Sequence, residues 1–208
     1  MKLKTINLSG LREEESKEHR FNAQYDLFEV VVYQAFNSEI ADYAVQNQRF
    51  GGSFSFNRRS WIKTGFFWMM YRSGWGQKSN QERILAIHLD RGFFDDIVSE
   101  AVPSQPSPHI YTPFGLWKEE YYDDKLRQKA ANDSDVVIQL DPDRTFQGNK
   151  CGRRAIQLGL CRQKLREYAQ DRIQCVEDIS DFVREQYQYL QSGNYDQMCV
   201  PIEKAYLI

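Results

Sequence analysis

The sequence has no apolar run long enough to cross a bilayer, which takes about 20 consecutive apolar residues. Its densest apolar stretch, residues 64–72, is far shorter, and no membrane association is expected. An excess of one charge is also lacking. Lysine and arginine number 27 against 29 acidic residues, a formal charge of -2. That balance gives no electrostatic reason to expect a nucleic-acid partner. Cysteine is scarce. Cys151, Cys161, Cys175 and Cys199 match neither a CxxC zinc pattern nor a redox motif. No charged-then-apolar leader opens the sequence. A cytoplasmic protein with reduced thiols is therefore expected, its cysteines buried and inert, Cys175 most of all. His19, His88 and His109 have no metal-ligand spacing, and His88 reads as a packed core histidine on a strand. Missing too are a Walker phosphate loop, a GxGxxG after a strand and a GxSxG nucleophile elbow. There is no internal repeat.

What is present concentrates in residues 60–82, SWIKTGFFWMMYRSGWGQKSNQE. Three of the four tryptophans lie here, with Phe66, Phe67, Met69, Met70 and Tyr71 and the cations Lys63, Arg72 and Lys78. Each aromatic buries a large area, so the apolar run reads as core. Its end, RSGWG at 72–76, has two readings. Gly74 and Gly76 permit positive φ, and Arg72 carries a fork suited to phosphate or carboxylate, which makes a ligand-facing loop. Alternatively, Gly74 stops a helix whose last turn holds Arg72.

Along the chain, residues 1–22 read as a short helix or loose arm around the REEE cluster at 12–15. Residues 23–208 read as one domain. Strands are expected over 27–36, 53–56, 83–89, 136–140, 155–160 and 172–178, from β-branched enrichment or alternation. A loop is expected at 58–63. Helices are expected after Asn37, over 64–72, 93–101, 116–131 and 162–169, and from Ser180 to a stop at Gly193. The expected fold is α+β (mixed α/β): a single domain around one central mixed sheet of about six strands with flanking helices.

Several blocks carry a resemblance. They are QYD at 24–26, VYQA at 32–35, FGG at 50–52, WIK at 61–63, FWMMYRSGWG at 67–76, QE at 81–82, RAIQLGL at 154–160 and EDISDF at 177–182. In these the sequence resembles a bacterial and fungal family, domain of unknown function (DUF) family 4291, over roughly residues 24–186. Thr64 and Gly65 depart from it where the family pattern has a proline, and Cys161 where it has an arginine. The resemblance implies the extent of the domain and cytoplasmic solubility, and no mechanism.

The polar residues beside strand ends and glycines form the candidate site, since ligands of sheet proteins gather at strand ends. In the first reading the protein is an enzyme that binds a nucleotide or another phosphorylated small molecule. Arg72 and Arg154 hold phosphate, with Tyr33, Gln34, Lys63 and Gln157 lining the site. Trp75 or Tyr71 stacks a base, and Glu177 is general base or stabilises a developing cation. A narrower version is similar to ADP-ribosyltransferases acting on NAD, with Tyr33, Gln34, Tyr71 and Glu177 in the nicotinamide-side and catalytic roles. This first strand lacks the arginine or histidine those enzymes place there. In the second reading the Trp/Arg/Gly loop recognises a protein or nucleic-acid partner without catalysis. For Glu177 and Asp178 the structural reading is capping of the Ser180 helix.

Overall fold

The computed structural model describes residues 2–10 and 21–206. In chain order its elements open with strands β1 (Thr5–Asn7), β2 (Asn22–Ala23) and β3 (Glu29–Phe36) and helix α1 (Ser38–Asn47). Next come β4 (Ser60–Lys63), α2 (Phe66–Ser73), β5 (Arg83–Asp90), α3 (Arg91–Ser99) and β6 (Val102–Pro103). Helices α4 (Pro108–Tyr111) and α5 (Asp124–Asp133) lead to β7 (Val136–Arg144) and β8 (Lys150–Leu160). The chain closes with α6 (Arg162–Asp171), β9 (Ile173–Asp178), α7 (Ser180–Ser192), β10 (Cys199–Pro201) and β11 (Lys204–Ala205).

One seven-stranded mixed sheet, in the order β6-β7-β8-β4-β3-β5-β9, organises the fold. Its pairs are antiparallel except β6 with β7. β3 sits inside the sheet, as its nearly unbroken apolar run requires of a strand buried on both faces. Alternation along each strand splits the core in two. Val30, Val32, Leu85, Ile87, Ile156 and Leu158 face one way, under α1, α3 and α6. Val31, Tyr33, Ile84 and Ala86 face the other way, under α2, α7 and Trp75. Asn37 caps α1 as expected, its side chain accepting from the Ile40 amide at 3.1 Å. Among the described residues no helix is long and apolar enough to cross a membrane.

Several expectations fail. Residues 53–56 form no strand. Phe54 instead stacks on Phe50 at 4.6 Å and edges onto Phe36 and Phe56, so packing of one curled segment imitates strand alternation. Residues 60–63, expected as loop, are β4, whose main partner β8 lies almost a hundred positions away. Gly159 makes that pairing possible, because a Cβ there would lie 2.8 Å from Arg59 and 3.1 Å from the Trp61 ring. β7 and β8 also run further than expected, to Arg144 and from Lys150, with a register shift around Pro142. The four cysteines are all partly exposed, Cys175 included, where burial was expected. Residues 5–7 pair with Cys199–Pro201. The REEE cluster and His19 lie outside the described residues.

Candidate functional site

Register alone sets a row of side chains across the face under α2 and α7. Gln139 is opposite Gln157, Gln157 opposite Lys63, Lys63 opposite Tyr33, Tyr33 opposite Ala86, and Ala86 opposite Glu177. Directly opposed residues share a face. An apolar pleat does not need so polar a row, and the groups along it separate by sign of charge.

At the Ser60 end the groups are cationic. A pocket of about 200 Å³ opens between the C-terminal end of β3, the start of β4 and the last turn of α2. Lys63, Arg72, Arg58 and Arg59 line it with Gln34 and Gln81, and among the described residues no carboxylate does. Lys63 is 8% exposed, and its Nζ donates one hydrogen bond, to the Trp61 carbonyl at 3.2 Å. Burial, and then the Arg72 charge, bring its ammonium down to about 7. Arg59 lies across the sheet and donates to the Gly159, Ser134 and Ala131 carbonyls. Among the described residues the Arg58 and Arg72 guanidinium groups have no hydrogen-bond or ion-pair partner. Arg58 and Arg59 also wall a wider groove of about 710 Å³ that continues past Cys161 to Arg162 and Arg166.

Towards the other end the groups are acidic. His88 is wholly buried between two carboxylates, with Nδ1 3.2 Å from Glu29 Oε2 and Nε2 2.6 Å from Glu177 Oε1. The same Glu177 oxygen accepts from the Leu3 amide at 2.9 Å. Glu203 accepts from the Phe66 amide at the start of α2, at 2.7 Å. Burial raises its carboxyl to about 8; that hydrogen bond and Arg153 oppose the rise and Asp143 adds to it. Asp143 is itself raised by burial, although Arg153 approaches it at 3.4 Å. The Tyr33 hydroxyl lies among these groups, buried and without a partner. Burial first, then Glu203 and Glu177, push it well above the ordinary phenol range.

The structure brings together only part of the expected set. Lys63 and Arg72 meet in the cationic pocket. Gln34 borders it, but its amide is already used: Nε2 donates to Ser60 Oγ and the Trp61 carbonyl, and Oε1 accepts from Tyr168. Tyr33 and Gln34, neighbours in sequence, point to opposite faces. Trp75 does not face a ligand. Gly74, Trp75 and Gly76 all take positive φ, the Trp75 amide closes on the Met70 carbonyl, and the ring stacks on Tyr187 at 5.7 Å. The 72–76 segment is thus a helix stop that turns Trp75 into the core. Tyr71 is exposed, stacked on Trp68 and under the Arg144 guanidinium. Gln157 donates to Asp141. Arg154 alternates to the opposite face, and Arg153 is the arginine on the polar side. Glu177 stands three strand spacings from Lys63, roughly 14 Å, with buried Tyr33 and Ala86 between. Asp178 does cap: it accepts from the Ser180 amide and pairs with Arg83. Burial pulls its carboxyl up, but those hydrogen bonds outweigh it and hold the group below the usual range. Sequence reasoning missed Glu29, Asp143, Arg153 and Glu203, which carry no motif. It also passed over Arg58 and Arg59, which fall in the segment expected as loop.

The family model of a domain of unknown function (DUF4291) matches residues 20–206, so the chain belongs to that family. No curated protein and no solved structure matches it.

Proposed function

We propose that this chain is an enzyme that binds a phosphorylated small molecule, a nucleotide among the candidates, in the cationic pocket at the Ser60 end of the sheet. One observation carries this reading: among the described residues four cations and no carboxylate line a pocket of about 200 Å³, and two of the guanidinium groups have no partner. Arg58 and Arg72 are exposed to solvent, and an anion held between them beside the buried amine accepts charge-assisted hydrogen bonds from both. The wider groove beyond Arg58 and Arg59 offers room for the rest of a nucleotide. The NAD-specific version needs Glu177, Tyr33 and Tyr71 around the same ligand as Arg72. Their separate surroundings lend it no support, so the proposal stays at the phosphorylated class. The partner-recognition reading loses its anchor with Trp75 inside the core.

A thermal-shift panel of inorganic phosphate, ATP, GTP, NAD, ADP-ribose and the unphosphorylated nucleosides tests the proposal. A ligand that binds the folded state raises the midpoint by mass action. The expected result is a rise with phosphorylated ligands alone, reduced in Arg72→Ala and in Arg58→Ala. A flat panel from well-folded protein overturns it.

A further inference from the structure

We infer that Lys63 is a nucleophile whose amine forms an imine with the carbonyl carbon of a phosphorylated aldehyde or ketone held in the cationic pocket. The inference rests on the phosphate-binding reading above and adds the reacting group and the class of substrate. Lys63 projects from β4 into the pocket almost fully buried, with one hydrogen bond to a main-chain carbonyl. Among the described residues no lining carboxylate holds it in the ammonium form. The charged groups that face it are Arg58 and Arg59 from the segment before β4 and Arg72 from α2. Across the strands its neighbours are Tyr33 on β3 and Gln157 on β8. Desolvation and a neighbouring cation are the two means by which a lysine becomes nucleophilic. They bring this ammonium to about 7, so roughly a thousandfold more of it is neutral amine at pH 7 than for a solvated lysine. Guanidinium groups stay charged over that range. The pocket therefore divides its work: Arg58 and Arg72 hold the phosphate, and Lys63 is the lining cation that can give up its charge.

The step balances without a further reactant. The lone pair of neutral Nζ attacks the carbonyl carbon, and the π pair moves to the oxygen. A hydrogen passes from nitrogen to that oxygen to give a carbinolamine. The carbon–oxygen bond then breaks, a second hydrogen leaves nitrogen with the oxygen as water, and the C=N bond forms.

The test uses the full chain at pH 7 with glycolaldehyde phosphate and cyanoborohydride, which turns an imine into a stable secondary amine that peptide mass spectrometry locates. Lys63 is expected to be labelled about tenfold or more faster than any other lysine. Inorganic phosphate should suppress the label, and unphosphorylated glycolaldehyde should give far less. Lys63→Arg should lose it while keeping the thermal shift with phosphate. The labelling map of the unaltered chain decides the matter even if that variant does not fold. Label confined to exposed lysines, with phosphate still raising the midpoint, overturns the nucleophile and leaves the phosphate reading standing. Label on Lys63 that phosphate does not suppress supports the amine and overturns the phosphate reading. An unlabelled Lys63 with no phosphate shift overturns both.

Discussion

The two ends of one sheet face bury ionisable groups with opposite outcomes. At the Ser60 end, burial and a like charge drive the Lys63 ammonium down to about 7. Towards the Asp143 end, burial and a like charge drive the Glu203 carboxyl up to about 8. Desolvation penalises whichever form is charged, so the same physics moves an amine and an acid towards each other. The ends differ in what answers the charge. The acidic end is internally partnered: His88 joins Glu29 and Glu177, Arg153 reaches Asp143, and amides serve Glu177 and Glu203. The cationic pocket has carbonyls for Arg59 and one for Lys63, and no acid among the described residues that line it. A partnered cluster holds a fold together, whereas the unanswered one is where the proposal seats a ligand.

The sharpest way to break this contrast is His88→Ala. It opens a cavity and strips the imidazole from two carboxylates, so a loss of about 3 kcal/mol is expected in denaturant titration. A loss under about 1 kcal/mol would mean that the acidic end is not held by its partners.

Glu203→Gln keeps an acceptor for the Phe66 amide and removes the titration. The folded-state carboxyl lies above its ordinary value, so the folded chain binds more protons than the unfolded one between about pH 4.5 and 8. Stability contributed by Glu203 is present at the acid side of that window and falls as pH rises through it. Relative to wild type, the variant should gain on the order of 2 kcal/mol between pH 5 and pH 8, partial exposure and relaxation reducing the full value. Parallel pH–stability curves would contradict the buried acid.

Lys63→Met should show the opposite sign at the other end. The folded-state ammonium lies below its ordinary value, so above about pH 7 the unfolded chain binds more protons and wild-type stability rises with pH. The variant should be more stable than wild type by roughly 1–2 kcal/mol at pH 6, and the gap should close as pH rises towards 10. A variant less stable than wild type at pH 6 would show that Lys63 is already paired.

The smallest effect belongs to Tyr33→Phe. Its hydroxyl is buried without a partner, so removal should be neutral or stabilising by up to about 1 kcal/mol in thermal melts. A clear loss would reveal a hydrogen bond to Glu177 or Glu203.

Much of the fold was legible because its signals are local. Alternation marked β5 and β8 as strands, Asn37 announced α1, and Gly193 closed α7 in the left-handed region. The candidate site was legible only in part. Lys63 and Arg72 stood out for the company they keep in residues 60–82. Trp75 misled because an aromatic between glycines reads equally as a ligand platform or as a buried plug.

By itself the sequence determined most strands of the sheet, most of its helices and the family, because periodicity, caps and a long idiosyncratic motif reside in neighbouring residues; the helix expected over 116–131 forms only from Asp124. The tertiary structure alone decided which charges meet. β4 finds β8 across almost a hundred residues, and that long-range register places Lys63 beside Gln157 and Tyr33 and lays Arg59 over Gly159. Segments distant in sequence carry His88, Glu177, Asp143 and Glu203 to the other end. A buried amine loses its proton, or a buried acid keeps one, because of groups brought near through space, and no local pattern encodes that distance.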